Sequence, residues 1–436
     1  MSDNKKLSTE SYKGVRDFYP EDMAIQNQIF SIWRDTVQKY GYQEYGASIL
    51  EPADLYRAKS GEEIVNEQTY TFTDRGEREV TLRPEMTPTV ARMVAARRRE
   101  LTFPLRWYSI PNLFRYENPQ RGRLREHWQL NVDIFGVTSL QAEIECIQMA
   151  HEITKSYGPT ETDFEIRINS RKLMDYVSRD VFSLSDEQAH KISKLIDRKN
   201  KLPADAFEAS AQEILADKTP IFITLLNSKN FEEFVSNLPQ TKEEHAGIRE
   251  VKEVIAGLES LGITNARFDQ TLMRGFDYYT GIVFETFDKN PANRRAVLGG
   301  GRYDDLLSLF GGDKIPAVGF GAGDVTARDL METYNRIVSA TAVSPADLSL
   351  AIIDEKQTGY ANDLAQDLRN QGVRVAVDYS GKKISDQIKA ADKRGIPYII
   401  IIGETEATSG QLTLKHLATG DEQKVTQDQI AEIVSK

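Results

Sequence analysis

Residues 112–136, NLFRYENPQRGRLREHWQLNVDIFG, limit the possible folds more than any other stretch of this chain. Segments 113–116 and 128–135 read as strands, with Pro119 and Gly122 as turn formers between them. The stretch therefore commits the chain to an antiparallel pair with a long, charged connection. Four arginines, Arg115, Arg121, Arg123 and Arg125, fall within it beside Glu117 and Glu126. Planar guanidinium forks suit bidentate contact with phosphate or carboxylate. The same arginines could instead do no more than keep an edge strand soluble. The stretch alone does not decide between these two readings.

Composition narrows the class. With 436 residues the chain has room for roughly two or three domains, each with its own core. Its 40% hydrophobic and 28% charged content is that of an ordinary globular protein. Residues 1–13 are polar, without the apolar core of a secretory leader. The longest dense apolar run, 398–402, is too short to cross a bilayer, so no membrane is expected as a partner. Cys146 is the only cysteine, which excludes an intrachain disulfide and a cysteine-based metal cluster. It lies in a helical pattern and reads as a buried structural thiol in a reducing, cytoplasmic setting. Fifty-five basic against 66 acidic residues leave a net charge of −11. A global negative field argues against nonspecific coating of nucleic acid, although a local basic site remains open.

Along the chain, 18–42 reads as a helix opened by Pro20 and closed by Gly41. Strand patterns follow at 42–52, 68–74 and 79–82, then a helix over 88–98, a lead-in strand at 107–110, the hairpin, a helix over 138–157 and a strand at 163–168. From 170 to 262 helical patterns dominate, which suggests an insertion. Strands resume at 266–269 and 281–287, followed by a helix at 303–310 and a glycine-rich strand-to-helix segment over 317–331. After a linker at 341–346, strands and helices alternate. Strands at 348–353, 373–377 and 397–402 imply a parallel sheet with helices on both faces. A hairpin and a terminal helix end the chain. The expected domains are 1–169 and 263–340 as one interrupted domain, 170–262 as the helical insertion, and 346–436 as an α/β domain.

Three further segments carry more than packing requires. LRPEMT places Glu85 and Thr87 just past a strand end, where they suit an ammonium group, or simply the start of a helix. TLMRGFDYYTGIVFE holds Arg274 in an apolar and aromatic run, and an unpaired buried charge is too costly to keep without a partner. Tyr278 and Tyr279, if on a strand, would face opposite sides, one of them into the core. LGGGRYDD has three glycines before Arg302 and Tyr303, which points to close approach of a ligand or of backbone. The five histidines show no metal-ligand spacing and no serine sits in a nucleophile elbow. The remaining chemistry, arginines, carboxylates, tyrosines and glycines, suits electrostatic stabilisation of phosphate.

LRPEMT, FRYENPQRGRLREHWQLNVDIFG, LMRGFDYYTGIVFE and GGGRYDDLL, in this order, closely resemble histidyl-tRNA synthetase, a class II aminoacyl-tRNA synthetase. The resemblance implies an α+β catalytic domain with a mainly antiparallel sheet, the helical insertion, and an α/β anticodon-binding tail. It implies activation of histidine with ATP and magnesium, transfer of the histidyl group to the 3′ end of tRNA(His), and a homodimer. By the family pattern Arg115, on its strand, and Arg274 are catalytic, flanking the reacting groups from opposite sides. Arg115, Glu117, Arg123 and His127 match ATP-binding positions. Glu85, Thr87, Gln129, Asp133, Arg274, Tyr278, Tyr279 and Tyr303 match the histidine site. Gln120, Arg121 and Arg125 match loop positions that approach the tRNA acceptor end. Metal is expected only with the nucleotide, with no protein cluster holding it. Two departures stand out. His127 replaces a phenylalanine that commonly stacks on adenine. Val325 and Thr326 replace a Glu-Arg pair whose arginine holds the ATP γ-phosphate. Arg328 is about 200° around the helix from Thr326 and should not substitute for it. The alternatives are a regulatory relative that controls the first enzyme of histidine biosynthesis, ATP phosphoribosyltransferase, and a tRNA-sensing pseudo-synthetase.

Overall fold

The computed structural model describes residues 7–57, 68–199, 202–239, 243–273, 278–337 and 344–434. The chain divides into two units, Met1–Asp17 with Gln26–Ile337, and Phe18–Ile25 with Val338–Lys436. In chain order the strands of the first are β1 (Gln43–Glu44), β2 (Leu50–Pro52), β3 (Tyr70–Thr73), β4 (Glu79–Leu82), β5 (Leu105–Ser109), β6 (Asn112–Phe114), β7 (Glu126–Phe135), β8 (Phe164–Ser170), β9 (Ala266–Phe268), β10 (Ile282–Asp288), β11 (Ala296–Arg302) and β12 (Ala317–Gly323).

Among the described residues, nine of these form one sheet in the order β1-β5-β7-β12-β11-β10-β8-β9, with β6 added on β7. Its pairings are antiparallel except β1 with β5 and β8 with β9. β2, β4 and β3 make a small separate sheet. The helix Gln141–Ser156 packs across β10–β12 and buries Ile147, Ala150 and Ile153, the spacing of one helical face. Cys146 on the same helix is buried, as expected, and its thiol is pushed well above the usual range by desolvation. The helix Ala246–Ser260 lies close against it, since a Cβ on Gly257 would stand 2.5 Å from Ile144 Cδ1. A core cluster joins Val90, Ala91 and Val94 of the helix Thr87–Arg97 to Tyr278, Tyr279, Val283, Tyr303 and Ala317.

The hairpin is present, but β6 ends at Phe114, so Arg115 lies just past the strand rather than on it. Its amide still donates to Arg125 O (2.9 Å), which holds the two arms together there. The helix expected at 303–310 is instead a single 3₁₀ turn, Leu307–Phe310, preceded by β11, which contains the triple glycine. The reason is crowding. A Cβ on Gly300 would sit 2.0 Å from Gly319 O, and one on Gly301 2.6 Å from Ile282 O. Glycine is needed there because neighbouring backbone comes too close for any side chain. Between β8 and β9 run helices from Arg171 to Ser260, with one strong start signal at Ser185 and Gln188, a capping box opening the helix Asp186–Asp197.

The second unit has strands β13 (Leu348–Ile352), β14 (Val375–Asp378), β15 (Tyr398–Ile402), β16 (Leu412–His416) and β17 (Glu422–Val425), ordered β14-β13-β15-β16-β17. The first three pair in parallel, and the terminal hairpin is antiparallel. Leu364 and Leu368 of the helix Thr358–Asn370, with Ile430, pack on Leu350 and Ile400. Ala391 of the helix Ile384–Lys393 packs with Ala351 and Ile399 in a second cluster. Two separate clusters on alternate strand residues mean that both sheet faces are covered, as the apolar run 398–402 requires.

Candidate active site

Two cavities open on the main sheet and share a rim of Arg115, Gln129, Gly299 and Gly321. The smaller, about 110 Å³, is lined by Glu85, Thr87, Asn131, Asp133, Tyr278, Tyr279 and Tyr303 as well as that rim. Period-two alternation on β7 turns Gln129, Asn131 and Asp133 to one face. They lie opposite Gly323, Gly321 and Gly319 of β12. A Cβ on Gly319 would reach within 2.5 Å of Asp133 Oδ1, and one on Gly321 within 2.6 Å of Gln129 Nε2. Gly319 and Gly321 of the GFGAG run are glycines because β7 side chains occupy the space their own would fill.

Asp133 is buried, and Tyr303 Oη donates to its Oδ1. Its other oxygen, Oδ2, is buried without a hydrogen-bond partner among the described residues. Desolvation raises its carboxyl to about 7, against which the Tyr303 hydrogen bond works. An acceptor left open in a small pocket suits a ligand N–H. Gln129 Nε2 donates to Asn131 Oδ1 (2.7 Å), fixing both amides. Glu85 is buried and accepts from Tyr278 Oη (3.1 Å). Its segment is stapled by the buried Arg83, which donates to Ala47 O, Ser48 O, Asn112 O and Asn112 Oδ1. The helix after it has Met86 at its N-cap and no side-chain cap, so Thr87 does not serve as the cap. Tyr278 and Tyr279 do not face opposite ways. Both are buried with rings 4.8 Å apart and both line the cavity, because they lie outside any strand and no pleat separates them. Next to Tyr303 in sequence, Arg302 donates through Nε and Nη2 to the fully buried Glu143 (2.6 Å each).

The larger cavity, about 240 Å³, is lined by Arg115, Glu117, Arg123, His127, Arg295 and the turn into the helix Asp324–Thr333. Arg115 Nε donates to Pro84 O (2.9 Å). Burial lowers its affinity for its proton, while Glu117 and Glu85 raise it. Arg123 Nε stands 2.5 Å from Glu117 Oε2. Burial first, then Arg115 and Arg16, hold His127 down at about 3, so its ring is neutral at pH 7 and able to stack. Among the described residues three arginines face one carboxylate here, a surplus that suits a polyanion. At Thr326 the hydroxyl donates to Val297 O (3.0 Å) and Gly323 O (3.1 Å). Arg328 turns to Glu332 on its own helix and does not line the cavity. Among the described residues no group of three His, Cys, Asp or Glu could hold a metal.

A third cavity of about 580 Å³ adjoins the second through Gly122, Arg295, Val297 and Thr326, and Gln120 and Arg121 line it. Arg121 is exposed and donates to Asn293 Oδ1 (3.0 Å). Arg125, matched by resemblance to the tRNA acceptor end, is turned inward in the fold. It is buried, lies 4.0 Å over the Tyr116 ring, and donates to Glu117 O and Tyr12 Oη. Two aromatic neighbours make it a packing residue of the hairpin. Arg274 lies outside the described residues. Sequence reasoning missed Arg295, Asn131 and Glu143. Only Arg295 gave any signal, by standing two residues before the glycine-bearing Val297–Gly301 run.

The family model described as histidyl-tRNA synthetase matches residues 14–325, and that of an anticodon binding domain matches 343–436. Histidine–tRNA ligase of Leptospira biflexa is 42% identical over 95% of this chain and 94% of its own. That of Thermoplasma volcanium is 36% identical over 99% of each. Among solved structures, apo histidyl-tRNA synthetase of S. aureus is 26% identical with a TM-score of 0.74, covering 98% of this chain and all of the other. The Bacillus halodurans structure titled ATP phosphoribosyltransferase regulatory subunit/histidyl-tRNA synthetase, at 24% identity and TM-score 0.73, covers 89% of this chain and 97% of its own, and shows the fold alone. Full-length similarity to ligases does not favour the regulatory alternative. This chain belongs to the histidyl-tRNA synthetase family.

Proposed function

We propose that this chain is a histidine–tRNA ligase that activates L-histidine with ATP and passes the histidyl group to the 3′ end of tRNA(His). The observation that carries this reading is the pair of cavities meeting at Arg115: one small with an open buried carboxylate oxygen, one larger with an arginine surplus. Histidine would occupy the first. Glu85 suits its ammonium group and Asp133 an imidazole N–H, with Thr87, Gln129, Tyr278, Tyr279 and Tyr303 shaping the walls. ATP would occupy the second, adenine against the neutral His127 and phosphates toward Arg115 and Arg123, with Glu117 in contact with the nucleotide.

The chemistry asks mostly for position and charge. The histidine carboxylate attacks the α-phosphorus, a carboxylate-to-phosphorus bond forms, and pyrophosphate leaves with the electrons of the cleaved bond. Arg115 at the shared rim would stabilise charge on the α-phosphate, and Arg274, on the strength of its motif, would act with it. Among the described residues Glu117 is the only carboxylate lining the larger cavity, and it is already paired with Arg123, so magnesium would arrive with the nucleotide. In the second step a terminal ribose hydroxyl of the tRNA attacks the acyl carbon and AMP leaves. Gln120 and Arg121, on the adjoining cavity, would meet that end of the tRNA.

The assignment of 1–169 with 263–340 to catalysis, 170–262 to an insertion and 346–436 to anticodon binding belongs to the same proposal, as does a homodimer. Purified protein is expected to show histidine-dependent ATP–pyrophosphate exchange. Arg274→Ala should reduce it by about a hundred-fold or more, the usual cost of one transition-state donor. A folded wild-type protein without exchange would end the enzyme reading and leave tRNA sensing.

A further inference from the structure

The position where the family resemblance places a phosphate-binding arginine is Thr326, whose hydroxyl is committed to two backbone carbonyls. It offers a nucleotide no charge. Arg295 comes to the same place from the other side. An ideal Cβ on Gly122 would lie 2.8 Å from Arg295 Cδ and 3.6 Å from Thr326 Cγ2, so the two side chains flank one glycine. Gly122 has φ +74°, which both makes the loop turn and leaves this gap open. The Thr326 hydroxyl bond to Val297 O ties the helix Asp324–Thr333 to β11, one residue after whose start Val297 lies. Arg295 immediately precedes that strand.

The neighbouring arginines each already have one protein partner. Arg115 holds Pro84 O, Arg123 holds Glu117, Arg121 holds Asn293, and Arg328 holds Glu332. Arg295 has no ion pair or hydrogen bond among the described residues, although it is half-buried and lines the larger cavity. Burial and the nearby Arg123 both weaken its hold on its proton, as two guanidinium groups sharing a cavity with one carboxylate should. An anion between them would remove that repulsion. The cavity also has a direction. Arg115 lies at the rim shared with the amino-acid cavity, and Arg295 lies at a different junction, the one with the third cavity, beside Gly122 and Thr326.

We infer that Arg295, acting with Arg123, binds the distal phosphates of ATP in place of an arginine at position 326. This rests on the ligase reading, with the α-phosphate at Arg115. Full-length Arg295→Ala should raise the ATP KM in pyrophosphate exchange about ten- to hundred-fold, the range for one lost charge-assisted hydrogen bond. The histidine KM should stay within about two-fold. AMP, which lacks the β- and γ-phosphates, should bind wild type and variant alike. Arg295→Lys, which keeps the charge, should fall between the two in ATP KM, and Arg123→Ala should repeat the ATP-selective loss. An unchanged ATP KM in Arg295→Ala would overturn the inference. Equal weakening of ATP and AMP, or a lysine variant no better than alanine for both nucleotides, would overturn it too by showing a structural role. Absence of exchange in the wild type would instead remove the ligase reading.

Discussion

At the residue scale Asp133 shows how burial and function pull against each other. Its carboxyl is held up at about 7 by desolvation, whereas an exposed aspartate in the unfolded chain titrates at about 3.9. Across that window the folded protein keeps a proton that the unfolded chain has released. Stability from this group is therefore fully present below about pH 4 and is lost as pH rises through about 7. Asp133→Asn removes the titration and can still accept from Tyr303. Its melting temperature relative to wild type should rise between pH 5 and pH 8, while its histidine KM rises about thirty- to hundred-fold. A melting difference that does not change with pH would show the carboxyl ionised throughout. The residue types at this site were legible in order along the chain. Their protonation states were not, because desolvation is set by residues far away in sequence: Tyr303 lies 170 positions from its partner Asp133.

At the level of elements, β7 and β12 form one device. The hairpin stands out in the sequence by its arginines and turn residues, and β12 by its glycines, but neither pattern says that the two strands pair. Pairing explains the glycines, and it separates two substitutions that look alike. A Cβ on Gly321 meets the far end of the Gln129 side chain, which can move. A Cβ on Gly319 meets Val132 O at 2.5 Å as well as Asp133 Oδ1. Gly321→Ala should therefore fold normally and raise the histidine KM about ten-fold, whereas Gly319→Ala should cost about 1–3 kcal/mol of stability. Urea melts and exchange kinetics on the pair would check this, and equal stability for both would show that β12 can shift. The strand β11 was missed for the same reason. Three glycines look like a weak strand until the backbone of β12 is placed beside them.

For the whole molecule, the two units carry separable tasks under the proposed function. Removing 346–436 should leave exchange within several-fold of wild type. It should lower tRNA charging at moderate tRNA concentration by about a hundred-fold or more, since a second binding site is lost. Equal loss of both activities would show that the catalytic unit depends on the tail.

The sequence by itself determined the class of protein. Alternation of two and 3.6 marked strands and helices, the switch to helical patterns after 170 marked the helices between β8 and β9, and the ordered motifs marked the family. These are local signals, set by side-chain periodicity and turn chemistry along one stretch of chain. Tertiary structure alone decided which cations are free to work. Arg125 and Arg295 look equally available in sequence, yet one is stacked between tyrosines and the other faces a cavity without a partner among the described residues. Whether a charge is spent on the fold or left for a ligand depends on which distant groups surround it, and only the assembled strands supply those neighbours.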